Sequence, residues 1–243
     1  DYNAPQPYAS SKLERWKSQN VFHVDQEKVV LPDNIKPSLV NSVERAIRYS
    51  LHAVNQALED AGVPETDNVA VVASNITAGN ELKMEVVPKL FSEDKKVRPM
   101  QLLGSTKDFL CGFVSQHYGF HGPNTSMYAA CATSLFSIDY AMSFVDDYDY
   151  VVCTVADGGI NETDIGFFSM IHALGTHSAP FDDNRDGFIM GEGGACLILE
   201  SEERAKARGA NIHAYLYPVG FGSDAFNVTS PDPEGLGAKQ AMK

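Results

Sequence analysis

Cys131 stands in the run Tyr128-Ala129-Ala130-Cys131-Ala132-Thr133-Ser134-Leu135. The spacing predicts a strand over 125–129 that turns sharply through small residues into a helix over 134–145. A thiol at a helix start feels the positive end of the macrodipole, which favours the thiolate. The free backbone N–H groups of a first helical turn can also hold a developing oxyanion. That pairing suits a sulfur nucleophile. Free cysteines are also among the most buried residue types, so an inert Cys131 is the competing reading.

A second stretch, Pro180-Phe181-Asp182-Asp183-Asn184-Arg185-Asp186-Gly187-Phe188-Ile189-Met190-Gly191-Glu192-Gly193-Gly194, opens with charged turn residues and continues with glycines among apolar ones. Such a loop enters the core where backbones approach closely. No lysine follows the glycines as a GxxxxGK[ST] phosphate loop requires. A third stretch is Gly222-Ser223-Asp224-Ala225-Phe226-Asn227-Val228-Thr229-Ser230-Pro231-Asp232-Pro233-Glu234-Gly235.

These segments need a frame. Val40, Val43, Ile47, Leu51, Val54, Leu58 and Ala61 recur at steps of three or four, an apolar stripe on a helix that Gly62 and Pro64 end. The runs 69–73, 150–155, 195–199 and 212–219 read as strands, 106–118 and 201–208 as helices, and Lys28 to Leu31 as a short β-like run. Helices alternating with apolar strands imply an α/β layered fold with a largely parallel sheet. Residues 1–37, polar and with prolines at 5, 7, 32 and 37, read as an N-terminal segment of the same domain as 38–243.

Composition narrows the function. Lys and Arg total 19 against 32 Asp and Glu, a net charge of −13, which disfavours nucleic acid as a partner. The four cysteines form no CxxC pair, so free thiols and a cytoplasmic setting are expected. No apolar run approaches the roughly 18 residues of a membrane span, and the opening residues show no secretory pattern. No metal site is expected.

The AACATS turn, the PFDDNRDGFIMGEGG loop and the GSDAFNVTSPDPEG segment, in this order, resemble the elongating β-ketoacyl-acyl-carrier-protein synthases, the condensing enzymes of fatty-acid and polyketide synthesis. The likeness covers residues 38–243. It implies a thiolase-like layered αβαβα fold, here its first half and the start of its second, and a homodimer. The implied reaction is a decarboxylating Claisen condensation of a Cys131-bound acyl chain with a malonyl thioester, both delivered by an acyl carrier protein. No cofactor of the enzyme's own is implied, since the phosphopantetheine arm arrives on the carrier. Phe188 corresponds to the phenylalanine shielding the malonyl carboxylate; Thr229 and Ser230 correspond to positions lining the pantetheine channel. Each also has a plainer reading, a core aromatic and a turn before Pro231. Asp224 reads as structural.

The family's two histidines lie in motifs downstream of the TSPDPEG segment. The seven histidines here, His23, His52, His117, His121, His172, His177 and His213, fall outside those motifs and read as surface or satisfied imidazoles. The chain is therefore expected to be part of a longer enzyme, inactive in condensation on its own. A polyketide- or polyene-type ketosynthase shares every motif, and a noncatalytic dimer-forming remnant is the alternative should the protein end at Lys243. Lys36, Arg45, Arg48, Lys95, Lys96 and Arg98 are the candidates for docking an acidic carrier.

Overall fold

The structure is a computed structural model that describes the chain apart from residues 1–4, 9, 11–19, 34, 36–42, 78, 94–95 and 229, and the side chain of residue 81. Thr229, Lys36, Lys95 and the expected helix start at Val40 lie outside the described residues. In chain order the elements are β1 (Gln6–Pro7), β2 (Asn20–Phe22), α1 (Arg45–Ala61), β3 (Val69–Asn75), α2 (Asn80–Phe91), α3 (Pro99–Leu103), α4 (Phe109–Tyr118) and β4 (Asn124–Thr125). There follow α5 (Thr133–Met142), β5 (Tyr150–Asp157), α6 (Glu162–Met170), β6 (Met190–Gly191), β7 (Gly193–Leu199), α7 (Glu202–Ala207) and α8 (Leu236–Ala241).

The main sheet has the order β4-β3-β5-β7. β3 runs parallel to β4 and β5, and β7 closes the far side antiparallel to β5. The sheet is thus largely parallel with one antiparallel edge. All seven residues of β3 are buried because both of its faces are covered. Val69, Val71 and Ala73 pack with Ile47, Leu51 and Val54 of α1 and Leu110, Phe113 and Val114 of α4. Ala70 and Val72 face Ala141 and Ile138 of α5. Of the layers expected, the described residues thus form a helix–sheet–helix sandwich. A smaller sheet, β1-β2-β6, lies over a separate apolar cluster of Val21, Ile160, Ile165, Leu174 and Met190.

α1 ends as its sequence dictates, with Gly62 left-handed at φ 54° and its N–H bonded to the Leu58 carbonyl. Glu44, buried just before α1, accepts hydrogen bonds from the N–H groups of Gly79 (2.9 Å) and Leu82 (3.3 Å) at the start of α2. One carboxylate therefore joins the starts of two helices. Among the described residues no helix is long and apolar enough to cross a membrane.

Several expectations are corrected. Residues 212–219 form no strand, and Tyr215, Leu216 and Tyr217 are exposed. Their composition favours β structure, but no neighbouring strand among the described residues pairs with them. Lys28 to Leu31 is likewise unpaired: a 3-10 turn covers Gln26–Lys28, and the Val30 backbone bonds the His52 ring instead. The strand before the cysteine is only Asn124–Thr125. Beyond it, Ser126 Oγ donates to the Ala73 carbonyl and Met127 N–H donates to Ser74 Oγ, so side chains replace the ladder. Helices α2, α3 and α6 carry no strong apolar stripe and were not expected.

Candidate active site

The turn around Cys131 is built by two alanines and a threonine. A single 3-10 turn, Ala130–Ala132, leads directly into α5. Ala130 has φ 46°, a left-handed conformation that costs a residue with a Cβ roughly 1–2 kcal/mol and persists only where the surroundings enforce it. Thr133 enforces it: its hydroxyl accepts from Ala129 N–H (3.0 Å) and donates to the Ala130 carbonyl (2.7 Å). The amides of Ala132 and Thr133 bond the carbonyls of Ala129 and Ala130. These three amides are committed to the turn itself, which narrows the expected supply of oxyanion donors.

Exposure separates Cys131 from the other thiols. It is exposed, whereas Cys111 and Cys153 are buried and Cys196 is partly so. Burial pushes the Cys153 thiol up to about 12 and moves Cys196 in the same direction, which keeps both protonated and inert. Cys111 spends its proton on the Asp108 carbonyl at 3.0 Å. The reading of Cys131 as a buried structural cysteine is therefore removed.

The glycine-rich loop closes on itself. Phe188 N–H donates to the Ala173 carbonyl and Gly175 N–H to the Phe188 carbonyl, both at 3.0 Å. Gly187 lies between them at φ 142°, where an added Cβ would meet Gly175 N at 2.4 Å. Only glycine fits. Phe188 is partly exposed and stands edge-on to Phe168, ring centroids 5.2 Å apart. Its hydrogen bonds and ring contact among the described residues run to this loop and to α6, so the pairing of Phe188 with Cys131 is not made by them.

The third segment reaches the turn by another route. Phe221, next to Gly222, sets its ring 4.6 Å from that of Phe136 on α5. Within the segment, Asp224 Oδ2 accepts from Asp232 N–H at 3.1 Å, the structural role expected of it. Ser230 is exposed, and its N–H bonds Asn227 Oδ1 at 3.1 Å, the turn geometry of its plainer reading. Ser134 from the first turn of α5 lines an open cleft of about 310 Å³ together with Val155–Asp157 of β5 and Gly193–Ala195 of β7.

One charged cluster lay beyond the sequence reading. The Glu192 carboxylate, fully buried, accepts from Val24 N–H (3.0 Å), meets His23 Nδ1 (3.2 Å), and lies 2.9 Å from Arg45 Nη1. Arg45 also donates to the Ile160 carbonyl at 3.1 Å. Arg45 is thus an internal tie rather than a docking cation, a correction that follows from the need of a buried carboxylate for a partner. Lys96 and Arg98 are exposed. The histidines behave as expected where they have partners: His177 meets Asp186 at 3.3 Å, and His213 meets Asp60 at 2.9 Å.

A layered α/β frame thus carries an exposed thiol on a strained turn at a helix start. The profile of the β-ketoacyl synthase N-terminal domain matches residues 9–205, and the chain belongs to that family. It is 32% identical over 211 residues to the 3-oxoacyl-[acyl-carrier-protein] synthase 2 of Coxiella burnetii, covering 81% of this chain and 51% of that protein. The protein of the same name from Staphylococcus aureus is 33% identical over 228 residues, covering 88% of this chain and 55% of that one. The chain thus spans about half the length of these curated relatives. Among solved structures, a β-ketoacyl synthase from Burkholderia phymatum superposes with a TM-score of 0.81 at 23% identity, over 95% of this chain and 61% of that one. The ishigamide ketosynthase/chain length factor gives 0.80 at 25% identity, over 98% and 61%. A type II polyketide ketosynthase solved in complex with its acyl-carrier protein gives 0.80 at 22% identity, over 98% and 60%.

Proposed function

We propose that these residues are the acyl-accepting part of a 3-oxoacyl-acyl-carrier-protein synthase, with Cys131 as the nucleophile. The observation that carries the reading is the exposed Cys131 on the strained Ala130 turn at the start of α5. In the first half-reaction the Cys131 thiolate attacks the carbonyl carbon of an acyl thioester on the carrier protein. The bond from that carbon to the pantetheine sulfur breaks, and the carrier leaves as its thiol with the proton lost by Cys131. One thioester replaces another, so the step is nearly balanced in energy.

In the second half-reaction the malonyl thioester loses CO₂. The electron pair left on its α-carbon attacks the acyl carbon, and the bond to Cys131 Sγ breaks, giving a β-ketoacyl thioester two carbons longer. Phe188 is assigned as the apolar wall that disfavours the malonyl carboxylate and favours neutral CO₂. Thr229 and Ser230 are assigned to the pantetheine arm, a role supported by the Phe221–Phe136 contact that draws this segment to α5. The two histidines of the family belong to motifs outside these residues, so the acylation half-reaction is what is assigned to this chain. A homodimer in the cytoplasm, served by an acyl carrier protein and needing no cofactor of its own, completes the reading.

Incubation with a saturated acyl-carrier thioester, followed by peptide mass spectrometry, tests it. An acyl adduct on Cys131 that disappears in Cys131→Ala is expected. An adduct that persists in that variant places the nucleophile elsewhere. Exclusive acylation by polyketide-type acyl chains favours the polyketide alternative.

A further inference from the structure

Behind the turn lies a chain of buried hydroxyls that the acyl-transfer reading does not use. Ser74 of β3 and Ser137 and Thr133 of α5 are each fully buried. Ser137 Oγ–H donates to the Thr133 carbonyl at 2.8 Å, so its one proton is spent. The 3.0 Å contact between Ser74 and Ser137 must then be donated by Ser74. Ser74 Oγ in turn accepts from Met127 N–H at 3.0 Å. Thr133 Oγ1 is committed in both directions, from Ala129 N–H and to the Ala130 carbonyl. Every hydroxyl proton in the chain has one destination.

The consequence concerns the backbone around the sulfur. Residues 127, 129, 130 and 133 are each tied, and Cys131 hangs between the ties. Apolar packing does not call for hydroxyls here, because Ala70, Val72, Ala141 and Ile138 already join β3 to α5. A buried serine that left its hydroxyl unbonded would be destabilising, so the pattern is specified rather than incidental. The φ of 46° at Ala130 is the conformation these ties oppose to relaxation.

We infer that Ser74, Ser137 and Thr133 are positioning residues that hold the turn so that Cys131 Sγ stays presented at the start of α5, an inference resting on the reading of Cys131 as the nucleophile. They act through the backbone and touch no substrate. Ser74 and Ser137 share the bond between them, so either alanine variant removes that bond, whereas the Thr133 hydroxyl is a separate tie; the losses at the two serines therefore overlap.

The test is the rate of Cys131 alkylation by iodoacetamide across pH 6–9, followed by mass spectrometry, in Ser74→Ala, Ser137→Ala, the double variant and Ser137→Thr. Ser50→Ala is the control: it removes an equally buried hydroxyl, one that bonds Thr154 at 2.9 Å away from the turn. Each alanine variant of the chain is expected to slow alkylation about tenfold or more, the scale on which a displaced reacting group acts. The double variant should be slower than either single one by less than the product of the two losses. Ser137→Thr, which keeps the hydroxyl, and Ser50→Ala should match the unaltered protein. Should one alanine variant fail to fold, the other answers the same question. Rates equal to the control, or losses that multiply in the double variant, overturn the inference alone. An unaltered protein whose Cys131 does not react sinks the nucleophile reading and the inference with it.

Discussion

Phe136 and Phe221 place their ring centroids 4.6 Å apart with the planes at 44°, tying the helix that begins at the Cys131 turn to the segment carrying Ser230. This ring pair joins the helix that follows the first segment to the residue that precedes the third. Such a pair contributes about 1 kcal/mol beyond its buried area. Phe221→Ala is therefore expected to lower stability modestly and to slow acylation by a carrier thioester, while leaving iodoacetamide labelling of Cys131 unchanged. Equal slowing of both reactions would show that Phe221 supports the turn rather than the approach of the thioester.

Thiol exposure makes a prediction of selectivity. Iodoacetamide at pH 8 should label Cys131 at least tenfold faster than Cys111, Cys153 or Cys196 in the native protein, with all four reacting after denaturation. Peptide mapping decides the matter. Rapid native labelling of Cys153 would contradict its burial on β5.

Alkaline pH should unfold the protein in a defined window. Burial, as the first cause, pushes Tyr49, Tyr150 and Cys153 each up to about 12, and Tyr118 in the same direction. The unfolded chain loses these protons from pH 9.0 for the thiol and 10.0 for the tyrosines, while the folded chain retains them. The folded state thus binds more protons in between, and stability falls as pH rises from 9 towards 12. Urea midpoints should be flat from pH 7.5 to 9 with respect to these groups and then decline. A midpoint that holds through pH 11.5 would show the tyrosines to be solvated.

Glu192→Gln removes the charge that faces Arg45 at 2.9 Å and His23 at 3.2 Å in a fully buried position. Breaking one partner of such a pair costs about 3 kcal/mol, which at this chain length lowers Tm by roughly 9 °C. Differential scanning calorimetry measures it. A change below about 2 °C would mean that Arg45 finds another acceptor.

The ties made from within α7 give a second stability prediction. Arg204 donates to the carbonyls of Val145 (2.7 Å), Tyr148 (2.9 Å) and Asp146 (2.8 Å), closing the turns that follow α5. Arg204→Ala leaves three carbonyls without this donor and should cost about 2 kcal/mol. Lysine cannot reproduce the fork, so Arg204→Lys should recover less than half of the loss. Full recovery would reduce the role of Arg204 to its charge.

Legibility in the sequence followed burial. The stripe from Ile47 to Leu58 and the runs at 69–73 and 150–155 announce α1, β3 and β5 because each is covered on the faces its pattern marks. α2 left no such trace: Met84, Val87, Leu90 and Phe91 are exposed and Pro88 sits inside the helix. Residues 212–219 failed in the opposite way, with strand-like composition and no paired neighbour among the described residues. At the candidate site, Cys131 was legible through the resemblance of the AACATS turn, since small residues around a thiol left an inert cysteine as the competing reading. Ser74 and Ser137 were not, since serine in a buried run looks like filler until its hydrogen bonds are seen. Arg45 was read as a surface cation because Glu192, its counterion, lies far along the chain.

β5 is hydrogen-bonded along both edges, to β3 from Tyr150 to Ala156 and to β7 from Val151 to Asp157. Gaining or losing one residue inside it would rotate Val151 and Cys153 to the opposite side of the sheet and put both neighbours out of step. Insertions and deletions among homologues should therefore gather in the connections between elements, around a span of fixed length.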